Sequence, residues 1–142
     1  MDIRPYVLAV ARGYTEPSGP LHALFLDEHS FMDAYRLREY SPPIDFAEDV
    51  LLAVHSGLRP SAGYRVRLTG ASTQADRLVI TVAIDVPGPG MMSAAVITYP
   101  RAFGLIERAA LPAGELFDVR FVTGAGKVLA SCRAARGTSA KA

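Results

Sequence analysis

The chain has 142 residues, half of them hydrophobic and one fifth charged, which is enough to bury a core and ordinary for a globular protein. A formal net charge of +1 argues against a nucleic-acid partner, because phosphate binding needs clustered positive charge. The lone Cys132 excludes an intrachain disulfide, and no apolar run approaches the roughly 18–20 residues of a membrane span.

Met1 to Pro5 lacks the basic start and unbroken apolar segment of a secretory signal. The expected location is cytoplasmic as written, or extracytoplasmic if a leader has been removed. Tyr6 to Ala11 reads as a strand, with Pro5 at its start, where an edge tolerates the missing N–H. An exposed edge there leaves a homodimer open. Gly13 to Pro20 is a loop rich in turn formers, and Leu21 to Leu26 is a second strand. Ser30, with Asp33 three residues on, is the expected N-cap of a short helix. Phe31, Ala34, Tyr35 and Arg38 share one face of it, and Pro42-Pro43 would end it. A helix of about ten residues is marginal alone in water, so its Phe31/Tyr35 face must dock on a sheet.

From Val50 onward the pattern is β. Val50 to His55 is apolar at nearly every position, as expected of a central strand covered on both faces. Tyr64, Val66 and Leu68 alternate with polar residues, and Leu78, Ile80, Val82 and Ile84 repeat that alternation after a turn at Gln74 to Asp76. Ala95, Ile97 and Tyr99 alternate again, followed by strands over Ala102 to Glu107 and Leu116 to Val122. Gly124-Ala125-Gly126 turns a hairpin into Val128 to Cys132. The expected fold is mainly β: an antiparallel sheet or sandwich of about eight strands, with one short flanking helix. It is read as a single β-rich domain over residues 1–133, with residues 134–142 a small, polar tail expected to be disordered.

Conventional site chemistry is sparse. His22, His29 and His55 have no metal-ligand spacing, and are read as surface or strand-end histidines. No G-x-S-x-G elbow is present. Gly88-Pro89-Gly90-Met91-Met92-Ser93 is followed by a strand, so no helix N-terminus awaits a phosphate. Gly124-Ala125-Gly126-Lys127 has Val128 where a P-loop has Ser or Thr. Asp45-Phe46-Ala47-Glu48-Asp49 gathers three carboxylates; a capped turn anchored by Phe46 is favoured over a cation site, which needs converging oxygen ligands. Arg59, Arg65, Arg67 and Arg101 are either a modest positive patch or, for Arg65 and Arg67, the solvent face of a strand. No catalytic residue, metal or cofactor is expected. A small-ligand binder or hydrolase using Asp45, Glu48 or His55 is the weakest alternative.

What stands out are stiff segments at strand ends: Gly57 to Tyr64, Pro87 to Gly90, and Tyr99-Pro100. Proline fixes φ and glycine reaches backbone shapes closed to other residues. Such segments are ordinary turns, or loops that lose little entropy on binding because they are already rigid; composition alone leaves both open. Pro43-Ile44-Asp45-Phe46, the apolar strand, Gly57-x-Arg59-Pro60-x-x-Gly63-Tyr64, Pro87-Gly88-Pro89-Gly90 and Tyr99-Pro100 occur in the order and spacing of the PrcB family's C-terminal domain, which the region 43–107 resembles. That family is named for a non-catalytic subunit of a bacterial protease complex. The chain departs from it in carrying Ser61-Ala62 before Gly63-Tyr64. The loop layout is also similar to that of chagasin-type protease inhibitors, immunoglobulin-like sandwiches that insert loops into a cleft; Pro60, Gly63 and Tyr64 would match the first loop, and Gly88 and Gly90 the second.

These resemblances imply a non-enzymatic interaction module whose partner is a protein, and a protease in particular. Arg59, Pro60, Tyr64, Pro89, Met91 and Met92 are the expected contact residues. Asp45, Phe46, Gly57, Gly63, Gly88, Gly90, Tyr99 and Pro100 are the expected structural motif. The alternative is direct inhibition of a protease by the same loops.

Overall fold

The computed structural model describes residues 1–60, 62–88, 96–136 and 139–142. In chain order the elements are β1 (Arg4–Tyr6), β2 (Val10–Arg12), β3 (Leu21–Phe25), α1 (Glu28–Tyr35), β4 (Glu39–Ser41), β5 (Asp49–His55), β6 (Arg65–Gln74), β7 (Arg77–Asp85), β8 (Arg101–Glu107), β9 (Leu116–Val122), β10 (Val128–Ala135) and β11 (Ala140–Lys141). The protein is mainly β, with one short helix, as its alternating pattern requires. Four of the strands (β1, β2, β4 and β11) are only two or three residues long, which is why the alternation shows fewer.

Position explains the continuous apolar run of β5. It lies in the middle of a five-stranded sheet ordered β1-β8-β5-β3-β11. Successive side chains point to opposite faces of a strand, and here both faces are covered. Val50, Leu52 and Val54 pack with Leu24 and Ile106 against the second sheet, whose inner face supplies Val66, Leu78, Ile80, Val82, Phe117, Val119 and Phe121. Leu51 and Ala53 face the other way, into a cluster with Phe25, Phe103 and the helix residues Phe31 and Tyr35. The small β2-β4 ribbon completes that outer layer with α1. Three layers result: helix and ribbon, five-stranded sheet, four-stranded sheet.

The second sheet is ordered β10-β9-β7-β6. Its β7–β9 pair is parallel, from Arg77↔Asp118 to Thr81↔Val122, a departure from a wholly antiparallel arrangement. Between these strands the chain crosses to the first sheet as β8, so it re-enters the second sheet in the direction it left. Where β8 passes β6, Gly104 makes the approach possible. A Cβ there would lie 2.5 Å from Ile3 Cγ2 and 2.9 Å from Leu68 Cδ1.

Five expectations are corrected. The strand over Tyr6 to Ala11 is two strands in different sheets, because β1 pairs with β8 and β2 with β4. The helix is capped by Asp27, not Ser30: Asp27 Oδ1 accepts the Ser30 N–H at 2.7 Å. It ends at Arg36, in the left-handed region (φ 55°), well before Pro42-Pro43, which frees residues 39–41 to pair with β2. Ile97 and Tyr99 form no strand; among the described residues their segment makes a bridge, Thr98 with Arg59, and Ala95, the first residue of that expected alternation, lies outside the described residues. The tail is not a free end over its described residues. Ala134 is buried within β10, β11 pairs with the edge of β3, and the His22 and Ala142 backbones exchange hydrogen bonds of 2.9 and 2.8 Å.

Candidate functional site

The ladder between β5 and β8 runs from Asp49↔Glu107 to His55↔Arg101. It continues past the strand ends, with Ser56 N–H donating to Pro100 O at 3.1 Å. Arg59 and Thr98 then exchange both backbone hydrogen bonds, at 2.8 and 2.9 Å. Three residues lie between His55 and Arg59 but only two between Thr98 and Arg101, so the first branch carries one extra residue, the signature of a bulge. Gly57 absorbs it, at φ 81°. A side chain there would also meet Pro20, whose Cδ lies 3.1 Å from the position of a Cβ.

The product is a two-branched arm beyond the end of the five-stranded sheet. The Arg59↔Thr98 register sets Leu58 opposite Tyr99 and Pro60 opposite Ile97, and residues one step either side of a bridge share a face. That face is apolar and open: Leu58, Ile97 and Tyr99 are 57%, 65% and 49% exposed. Arg59 belongs to the other side, with its guanidinium 5.2 Å from the centre of the Tyr64 ring and its Nε 3.5 Å from Ser56 Oγ.

At the base of the arm sits a polar cluster that sequence patterning missed. His55 is buried, and its Nε2 lies 2.7 Å from Tyr35 Oη. Its Nδ1 faces Glu16 Oε1 at 3.6 Å, just beyond hydrogen-bond distance. The carboxylate favours the tautomer with the proton on Nδ1, leaving Nε2 to accept from Tyr35. Burial pushes the imidazole pKa down to about 4, with Glu16 pulling the other way, so His55 is neutral near pH 7. Tyr14 stacks on Tyr35 at 5.4 Å, and burial pushes its phenol up to about 12. Arg101 closes the cluster, 4.7 Å above the Tyr14 ring and 3.9 Å from Glu16 Oε2. Physically the cluster fastens the 13–20 loop across the ends of β5 and β8. A histidine ending an otherwise apolar run was its one sequence signal; Tyr14 and Glu16, some forty residues earlier, carried none.

Among the expected contact residues, Arg59, Pro60 and Tyr64 meet at the arm. Pro89, Gly90, Met91 and Met92 lie outside the described residues, as does Ser61. Gly57, Tyr99 and Pro100 build the arm, and Gly63 and Gly88 are half-buried. Asp45 and Phe46 stand at the far end of β5. Asp45 Oδ1 accepts the Ala47 N–H at 3.1 Å, and Phe46 packs on Phe31 with ring centres 6.4 Å apart, so this is a capped turn. Asp45 and Glu48 are thus separated from His55 by the length of β5, roughly 20 Å at about 3.3 Å per residue, and form no joint site with it. The four arginines do not pool either. Arg59 covers Tyr64, Arg101 covers Tyr14, and Arg65 and Arg67 stand beside Asp85.

A layered β-sandwich with a helix-and-ribbon cap and a stiff arm at one end is the class of protein these features define. Residues 50–103 match the family model described as PrcB C-terminal, so the resemblance carried by the motifs holds over that span. The span runs from β5 into β8 and contains the whole arm; α1, the ribbon and β9–β11 lie outside it. No curated protein and no solved structure matches the chain.

Proposed function

We propose that this protein is a non-catalytic interaction module, an accessory or stabilising partner of a protease, and that it grips its partner with the arm of residues 56–60 and 96–100. One observation carries the reading: Leu58, Ile97 and Tyr99 are exposed together on one face of an arm whose two branches are tied to each other by backbone hydrogen bonds. Contiguous exposed apolar surface marks recognition sites, and a rigid loop loses less entropy on docking. The match to the PrcB C-terminal family, over the same residues, supports a protease as the partner. His55 supports the absence of catalysis: its Nε2 is engaged by Tyr35 and its ring is buried.

Affinity capture from the source cells tests this, comparing the natural chain with Leu58→Ser/Tyr99→Ser. The expected result is a protease-containing complex held by the natural chain and lost by the variant, with the same melting temperature for both. Loss of two central apolar contacts should weaken binding by at least about thirtyfold, near 2 kcal/mol. Undiminished capture by the variant would remove the arm from the interface. Purified papain-like and serine proteases should keep their activity in the presence of the chain; stoichiometric inhibition would replace the accessory role with that of an inhibitor.

A further inference from the structure

Away from the apolar face of the arm, β6 is one of the two edge strands of its sheet, β10 being the other. One flank pairs with β7, and the other has no strand beside it among the described residues. Along Arg65 to Thr69 the side chains alternate: Val66 and Leu68 turn inward, while Arg65, Arg67 and Thr69 are exposed. A groove of about 520 Å³ runs beside this stretch, lined by Ile3, Val66, Leu68, Ala102, Phe103 and Pro5 together with the exposed β6 residues. Its volume falls in the range of ligand sites, about 300–1,000 Å³. Pro5, on β1, cannot donate a backbone hydrogen bond, so β6 is the wall able to offer a full pairing pattern. The open stretch ends where the Met1 ammonium donates to Ala71 O at 3.3 Å.

Charge decides what this edge accepts. Arg67 holds Asp85 through two hydrogen bonds of 2.8 and 3.0 Å, and Arg65 pairs with Asp85 in register. Two guanidiniums therefore share one carboxylate, leaving an excess positive charge on the outer face. A second copy pairing antiparallel about this stretch would set arginine against arginine, which is destabilising; charged edges are a common defence against such self-pairing. An acidic strand meets the opposite situation.

We propose that the free edge of β6 over Arg65–Thr69 docks an extended segment of a partner protein in which acidic and apolar residues alternate. The segment adds a strand by backbone pairing, sets its carboxylates against Arg65 and Arg67, and lays its apolar side chains on Leu68, Ile3 and Ala102. This surface is distinct from the apolar face of the arm.

The test is an NMR titration of the full chain with blocked synthetic peptides of about seven residues, the length of an ordinary strand. One alternates Glu and Val, a second Lys and Val, and a third is the Glu-Val peptide N-methylated on one edge. The Glu-Val peptide should saturate with its largest shifts at the amides of residues 65–69, the Lys-Val peptide should bind at least tenfold more weakly, and N-methylation should abolish the shifts. Arg65→Glu should reverse the preference between the two charged peptides, and Arg65→Gln should reduce it. Leu58→Ser should leave peptide binding unchanged, so failure here is distinguishable from failure of the arm. No shifts at millimolar peptide, equal affinity for both charged peptides, or shifts centred away from β6 would overturn the proposal. So would concentration-dependent dimerisation that protects the β6 amides.

Discussion

A neutral imidazole sealed at the end of β5 ties the stability of this molecule to pH. His55 has its pKa lowered to about 4 from an ordinary 6.5, chiefly by burial. The unfolded chain therefore binds more protons than the folded one between these values, so His55's contribution is fully present above about pH 6.5 and is lost as pH falls toward 4. The slope from this group is steepest midway between these values and cannot exceed one proton's worth, on the order of 1 kcal/mol per pH unit. Urea denaturation at several pH values should show it, and His55→Gln should flatten the fall. An unchanged slope in that variant would mean that another group governs acid stability. A histidine at this strand end was visible in the sequence, but its burial was not. Burial comes from Tyr14, Glu16 and Tyr35, which reach it only through tertiary contacts.

The elements show the same division. Alternation in β6, β7 and β9 and the continuous run in β5 are local patterns, and each was legible. The helix face was legible too, since Phe31 and Tyr35 are the fully buried helix residues. The start of the helix was misplaced because Ser30 and Asp27 are both good caps, and only the chain's path after β3 selects Asp27. Asp27→Ala should cost about 0.5–2 kcal/mol, and Ser30→Ala distinctly less, as read by urea unfolding. The reverse order would restore Ser30 as the cap. The short strands β2, β4 and β11 had no readable period, because two or three residues cannot establish one; partners far along the chain define them.

Across the whole molecule, the layered architecture makes β5 the strand farthest from solvent, and native-state hydrogen exchange should find its amides among the slowest, with β2, β4 and β11 opening first. The arm was legible as a series of Pro/Gly segments. Its pairing was not, since the bulge at Gly57 depends on the distant Pro20 and on the branch at residues 98–100. The order in which strands enter the two sheets was equally hidden. From β5 onward the chain visits the first sheet, the second twice, the first, the second twice, and the first again. The sheets are laced together like the two sides of a boot, and the family-matched span is the middle of the lacing rather than a part that can be cut free. Residues 50–103 alone would hold β5 without β3, β7 without β9, and less than half of β8. That fragment, made on its own, should show no cooperative thermal transition by circular dichroism, although it carries every described residue of the arm.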